Sequence, residues 1–550
     1  MFKKVFILLL AIIIYGHADS QILINESPFT RQDTLRGSIG KGRSWWDVKK
    51  YDINVEANIP EKFIRGFVDI TFTSQKLNTG IMQIDLQEPM KIEKIETLSG
   101  NKQSINFTRE GNVFWLDVSK PRIFKTGINK IRIHFSSNPK EARTPPWDGG
   151  WIWQNDQLGR PWVTVACQGL GASVWYPCKD HQSDEPDNGA TLTIITPDTL
   201  VGVGNGRLTQ KTALPDNKIA WQWTVVNPIN NYLIVPSIGK YVNFTAEMTG
   251  EKGKLDLSYW VLDYNLEKAK EHFSIVKPMI KCFEEWMGPY PFYQDSYKLV
   301  DAPHLGMEHQ SAVAYGNGYM NGYRGMDRSG SGWGKDWDFI IVHESGHEWF
   351  ANNITTKDMA DMWVHESFTT YSEALFVQCR HGLQAANEYV IGQRRNIFNR
   401  LPMIGPYGVN KEGDDIYDKG ANMIHTIRQV INNDGIFKKI LSGLNKDFYH
   451  QTVTTLQIEN YISVKSKIDF SKVFDQYLRT VNIPTLVYKN TGNHIQYKWS
   501  NCVMGFNMPV RLKNNIWMYP TENFQSIGID KLGNSGFEVD KNFFILTKEI

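Results

Sequence analysis

Hydrophobic and polar positions change rhythm twice along the 550 residues. Between residues 51 and 226 apolar side chains alternate with polar ones, as in Val68-Asp69-Ile70-Thr71-Phe72, Ile131-Arg132-Ile133-His134-Phe135 and Thr191-Leu192-Thr193-Ile194. A period of two turns one face of a strand toward a core. Turn signals at 78–80, Gly100-Asn101 and Pro215-Asp216-Asn217 divide these runs at intervals typical of an all-β domain. From about residue 263 the period lengthens. Residues 266–287 carry helical spacing and stop at Gly288-Pro289. Further helices are predicted over 336–352, 359–380, 383–400, 419–433 and 456–479. Beyond Pro484 short strand-like runs return between Asn and Gly turns, and no internal repeat or low-complexity segment interrupts the order. The pattern is β, then helix-rich, then a small β tail.

Composition supports buried cores. A hydrophobic share of 41% with 21% charged residues excludes disordered, collagen-like and mucin-like classes. Chain length suits about three or four domains. With 60 basic and 58 acidic residues the net charge is +2, so no nucleic-acid partner and no attraction to acidic membranes is expected. Aromatic residues make up 13%, 18 of them Trp, which suits β-rich cores or a stacked cleft. The five cysteines are scattered, odd in number and without a CxxC pair, so neither a disulfide framework nor a thiolate zinc site is expected. Cys167 and Cys178 alone are close in sequence.

Residues 1–20 read as a signal peptide: Lys3 and Lys4, an apolar run over 5–15, then small or polar residues over 16–20. The run falls short of the ~20 residues that span a bilayer. Export through the secretory pathway to the periplasm or the extracellular space is expected, with no stable membrane insertion after cleavage. An uncleaved membrane anchor is the alternative.

The residues with the clearest chemistry are His343-Glu344-Ser345-Gly346-His347, within a helical run predicted over 338–352. Residues four apart share a helical face, so both imidazoles can point at one ion, with the Glu344 carboxylate beside it. A catalytic zinc needs a third protein ligand and an open position. Glu366 qualifies, separated from His347 by eighteen residues and on a second helical stretch, and Glu373 lies two turns further on, where it can hold a ligand histidine through its second nitrogen. The glycines at 316, 318 and 322 match no phosphate loop or dinucleotide fingerprint, and no Ser stands in a GxSxG elbow.

This arrangement, with Trp363-Val364-His365-Glu366-Ser367-Phe368-Thr369-Thr370-Tyr371-Ser372-Glu373 around the third ligand, resembles the gluzincin aminopeptidases of the aminopeptidase N and leukotriene hydrolase family. Trp349-Phe350 and Asn352 also resemble that family's zinc helix. Leu305-Gly306-Met307-Glu308-His309 is similar to its Gly-x-Met-Glu-Asn strand, Tyr417-Asp418-Lys419-Gly420 to its Tyr-x-Lys-Gly frame, and Gln168 to a Gln nine residues before a Pro-Cys pair, here Pro177-Cys178. Three positions depart from the pattern: His309 replaces Asn, Glu348 replaces Gln, and His365 precedes the third ligand.

The resemblance implies an α+β multidomain fold: an N-terminal β-saddle over 21–245, a thermolysin-like zinc domain over 246–483 and a small C-terminal β-sandwich over 484–550, in place of the long helical domain of larger members. It implies one Zn2+ per chain on His343, His347 and Glu366, with Glu344 as general base and Tyr417 as oxyanion stabiliser. Glu308, Gln168, Gly306 and Met307 would bind a peptide substrate by its free N-terminus. Two other classes remain open: a catalytically silent peptide-binding protein of the same fold, and a zinc endopeptidase. Oligomeric state is not legible.

Overall fold

Alternation in the first part of the chain becomes sheet. In the computed structural model, which describes residues 29–74, 80–100, 102–120 and 123–550, a seven-stranded sheet is built around the strand Trp46–Asn58. That strand runs antiparallel to Phe63–Ser74 and parallel to Ala190–Pro197. Its residues Tyr51, Ile53 and Val55 are buried, as are Val68 and Ile70 across the pair, which is the burial the period of two requires. A four-stranded sheet and a three-stranded sheet complete this part. The signal-peptide segment at 1–20 lies outside the described residues, as do two residues of the turn at 78–80.

The strand Tyr241–Gly250 opens a further, five-stranded mixed sheet with Gly253–Leu262, Tyr297–Asp301, Val313–Tyr315 and Gly306–Met307. Gly306–Met307 stands at its edge, antiparallel to Val313–Tyr315. Helices follow, and several differ from their sequence expectation. The run expected over 336–352 is α-helical only over Phe339–Gly346. Beyond it the Phe350 carbonyl is taken by the side chains of His347 and Thr369, and Ala351 turns to φ 137°, so the ladder cannot continue. The stretch at 266–287 is broken at Phe273–Ile275, and that at 383–400 ends its α-helix at Gln393. The stretch at 456–479 splits into Thr455–Ser466 and Ser471–Arg479 because Lys467 adopts φ 61°. Two helices were not expected. Arg31–Gly37 is started by a capping box between Thr30 and Asp33. Asp434–Asp447 is capped by Asn433, just after Asn432 ends the preceding helix in the left-handed region.

Beyond Pro484 lie a four-stranded and a two-stranded sheet. Leu486, Trp499, Val510 and Phe543 from this tail belong to the same apolar cluster as the helices, whereas the N-terminal sheets form a cluster of their own. The architecture is mixed α+β: sheet-rich at the N-terminus, helical in the middle.

Among the described residues there is one cystine, and it does not join the pair close in sequence. Cys282, on the helix Val276–Met287, is bridged to Cys379 on Trp363–His381, 97 residues away, while Cys167 and Cys178 are buried and free. Among the described residues no helix is long and apolar enough to cross a membrane.

Candidate active site

Two buried helices cross at the site. Phe339–Gly346 starts at Asp338, whose side chain accepts from the Ile341 N–H at 3.1 Å and from the Tyr315 hydroxyl at 2.7 Å. His343 lies on this helix and His347 just past its end, and the longer helix Trp363–His381 carries Glu366 in its first turn. Nδ1–H of His343 donates to Glu373 Oε1 at 2.7 Å, and Nδ1–H of His347 donates to the Phe350 carbonyl at 3.0 Å. In the neutral imidazoles this leaves both Nε2 lone pairs free, and the two Nε2 atoms converge on Glu366 Oε2 at 3.6 and 3.3 Å. That carboxylate oxygen is buried and has no hydrogen-bond partner. Two neutral imidazole nitrogens and a carboxylate oxygen converging in this way meet what a bound cation demands of its ligands.

The spacing agrees with that demand. All three ligand atoms lie within 4.8 Å of one another, and a tetrahedral ion with bonds of about 2 Å separates its ligands by about 3.3 Å. Burial works against a charge on His343, yet Glu366 and Glu373 raise its pKa to about 10. Burial likewise opposes the Glu366 carboxylate, but His347 and His343 hold its pKa well below the ordinary value. The cluster stabilises positive charge between the imidazoles and the carboxylate.

Glu344 is buried beside this cluster, and burial lifts its pKa to about 7 against the pull of both histidines. Facing it is Gly306. A Cβ there would stand 2.6 Å from Ile340 Cγ2 and 3.0 Å from Glu344 Oε1, so only glycine lets the edge strand approach the helix so closely. Met307 packs its side chain with Ala302 and Ala314, leaving its backbone at the sheet edge. Glu308 is 2% exposed. Its Oε1 accepts from Gln168 Nε2 at 3.2 Å and from the Tyr232 hydroxyl at 3.0 Å, while Asn352 Nδ2 donates to its main-chain oxygen at 2.9 Å. Gln168 Nε2 also lies 3.2 Å from Glu366 Oε1, so one side chain spans the two carboxylates.

Tyr417 precedes the helix Asp418–Ile431, its ring centred 6.1 Å from that of His343. The residue is 36% exposed. Burial of its hydroxyl end, followed by the charges of Glu366, Glu412 and Glu308, pushes its pKa well above the tyrosine range, so it is a donor at neutral pH. Gly420 allows this approach, since a Cβ there would overlap Ser367 Oγ. His343, His347, Glu308, Glu344 and Glu366 thus come together, with Gln168 reaching in from its distant loop and Tyr417 alongside. Tyr232 was missed, because nothing in Asn230-Asn231-Tyr232 marks it beyond a large aromatic in a turn.

The three departures are all buried. His309 packs edge-on against His304 with centroids 6.3 Å apart, and burial keeps both imidazoles neutral. His365 Nε2 accepts from the Thr356 N–H at 2.9 Å, and burial lowers its pKa to about 3. Glu348 Oε1 accepts from the Ser311 N–H at 2.8 Å, and burial lifts its pKa to about 8. His365 and Glu348 thus brace backbone N–H groups around the site, whereas His309 only packs against His304.

Residues 271–477 match the Peptidase family M1 domain. The chain is 22% identical over 349 residues to Tricorn protease-interacting factor F2 of Thermoplasma volcanium, covering 61% of this chain and 43% of that protein. It is 23% identical over 362 residues to aminopeptidase B of Mus musculus, covering 61% and 52%. The chain thus spans about half the length of these relatives. The M1 zinc metallopeptidase of Deinococcus radiodurans superposes with a TM-score of 0.66 at 18% identity, over 80% of this chain and 96% of that one. A second structure of that enzyme, a mutant holding a Tyr-Ser-Ala substrate, gives 0.65 at 18% identity over the same 80% and 96%. At this identity the likeness is one of fold.

Proposed function

We propose that this chain, a member of peptidase family M1, is a zinc-dependent aminopeptidase that removes the N-terminal residue from peptides. One observation carries the reading: Glu308, a buried carboxylate held by two donors, stands beside the three-acceptor cluster of His343, His347 and Glu366. An endopeptidase has no use for a negative charge at that place. A substrate ammonium does, because it ends the chain there and admits only the first peptide bond to the cluster.

His343, His347 and Glu366 would hold one zinc per chain. When bound, zinc polarises the scissile carbonyl and lowers the pKa of water to about 7. Glu344 takes the proton of the attacking water and returns it to the leaving amine, a task suited to a carboxylate lifted toward neutrality. Tyr417 donates to the carbonyl oxygen as it gains charge. Glu308 and Gln168 bind the ammonium and its neighbouring polar atoms. The free edge of Gly306–Met307 offers main-chain groups to an extended peptide. The peptide held by the Deinococcus enzyme supports a peptide substrate here.

We place the protein outside the cytoplasm. The basic and apolar run at 1–20 and the Cys282–Cys379 bridge both support this.

A panel of aminoacyl fluorogenic substrates tests the function, run with and without chelator and alongside N-acetylated counterparts. Chelator-sensitive turnover of the free-amine substrates only is the expected result. Equal turnover of acetylated peptides identifies an endopeptidase, and no turnover by the zinc-loaded protein identifies a silent binder. Either outcome overturns the reading.

A further inference from the structure

Glu308 is fixed from the N-terminal sheets rather than from its own strand. Tyr232 sits in the short turn Asn231–Leu233 and is 8% exposed, and its hydroxyl donates to the same Glu308 oxygen that Gln168 reaches. The turn is tightly held. Asn230 Nδ2 donates to the Gln182 carbonyl at 2.9 Å and Asn231 Nδ2 to the Lys179 carbonyl at 2.8 Å. Buried Asn205 then joins the turn to the segment bearing Glu308: its Nδ2 donates both to the Leu233 carbonyl at 2.9 Å and to the Gln310 carbonyl at 2.8 Å. Gln310 returns a hydrogen bond to the Pro228 carbonyl at 2.8 Å.

We propose that Tyr232 is a positioning residue for recognition of the substrate's free N-terminus. By donating to Oε1 it locks the Glu308 carboxylate and leaves Oε2 for the ammonium. The inference rests on the reading of Glu308 as the amine anchor. Two donors on one oxygen remove the side chain's rotational freedom before substrate arrives, so the ammonium meets an aimed carboxylate. A hydroxyl facing a carboxylate can only donate, and hydrogen bonds to a charged acceptor are the strong ones. Both donors come from loops that join strands of the N-terminal sheets. Selection of a free terminus is therefore assembled where those sheets meet the helical part, and Asn205 sets the spacing.

The test compares two ligands that share a metal-binding group: leucine hydroxamate and its des-amino analogue, 4-methylpentanoyl hydroxamate. Dissociation constants are measured by calorimetry on the zinc-loaded full chain as wild type, Tyr232→Phe, Glu308→Gln and the double variant. Phe keeps the buried ring and removes one oxygen; Tyr232→Leu, run in parallel, removes the same hydroxyl by another route. Wild type is expected to prefer the aminated ligand. Tyr232→Phe is expected to cut that preference by about 10-fold or more, through weaker binding of the aminated ligand alone, and to have no further effect in the Glu308→Gln background. A wild type without amine preference overturns the reading of Glu308 and this proposal with it. A wild-type preference that survives loss of the hydroxyl overturns the proposal and leaves the reading standing. Equal weakening of both ligands assigns Tyr232 a structural role and also overturns the proposal.

Discussion

Glu373 and His343 form a buried pair in which Oε1 of the carboxylate lies 2.7 Å from Nδ1 of the imidazole. The other oxygen accepts from the Tyr389 hydroxyl at 2.7 Å and from Gln393 Nε2 at 3.0 Å. The carboxylate is therefore held while it holds the ring, and Nε2 has one direction and one tautomer. Replacing Glu373 with Gln should weaken zinc binding about 10- to 100-fold, the usual cost of losing such a partner. Competition with a fluorescent chelator measures it. Unchanged affinity would mean that the helix alone orients His343.

Glu344 and Tyr417 are proposed to act on the reacting atoms, so their loss should appear in turnover. Glu344→Gln keeps size and packing and should retain zinc, yet kcat should fall at least ~100-fold for want of a general base. Tyr417→Phe should cost about 2.7–4 kcal/mol of transition-state stabilisation, with KM little changed. Steady-state kinetics on zinc-verified protein decide both. A variant with near-normal kcat removes that residue from the mechanism.

Glu348 predicts a pH effect on stability. Its pKa is raised from 4.5 to about 8 by burial, so the folded state holds its proton more tightly than the unfolded chain does. The resulting stability is complete below the unfolded value and is lost as pH rises through about 8. Glu348→Gln keeps an acceptor for the Ser311 N–H and cannot ionise. Its melting temperature relative to wild type should climb between pH 5 and 9, by up to about 1.4 kcal/mol in stability per pH unit. Parallel curves for the two proteins would show that Glu348 is not held protonated.

Chain rhythm made the order of sheet, helix and sheet legible, because burial of one face imposes a period of two or of 3.6. Helix ends were less legible. Asn432 and Lys467 stop helices by entering the left-handed region, at φ 48° and 61°, and lysine carries no such preference in its side chain. After Gly346 the chain runs in i→i−3 turns to Ala351 at φ 137°, and the Phe350 carbonyl is held by Thr369 from a separate element. The same division runs through the site. His343, Glu344, His347, Glu366 and Tyr417 stand in local frames whose spacing makes them recognisable as candidates. Tyr232 and the Cys282–Cys379 bridge exist only through packing of segments far apart in the chain. No local pattern announces them.

The most direct measurement of the central claim is kcat/KM for one peptide with its N-terminus free and acetylated, in wild type and in Glu308→Ala, at equal zinc content. The ammonium contact is made in ground state and transition state alike, so loss of the carboxylate should raise KM for the free peptide with a smaller loss in kcat. The ratio of free to acetylated kcat/KM should be large in wild type and should collapse in the variant, because the buried charge that rejects a neutral terminus is gone. Wild-type KM together with an undiminished ratio in Glu308→Ala would contradict the account, whatever the metal cluster does.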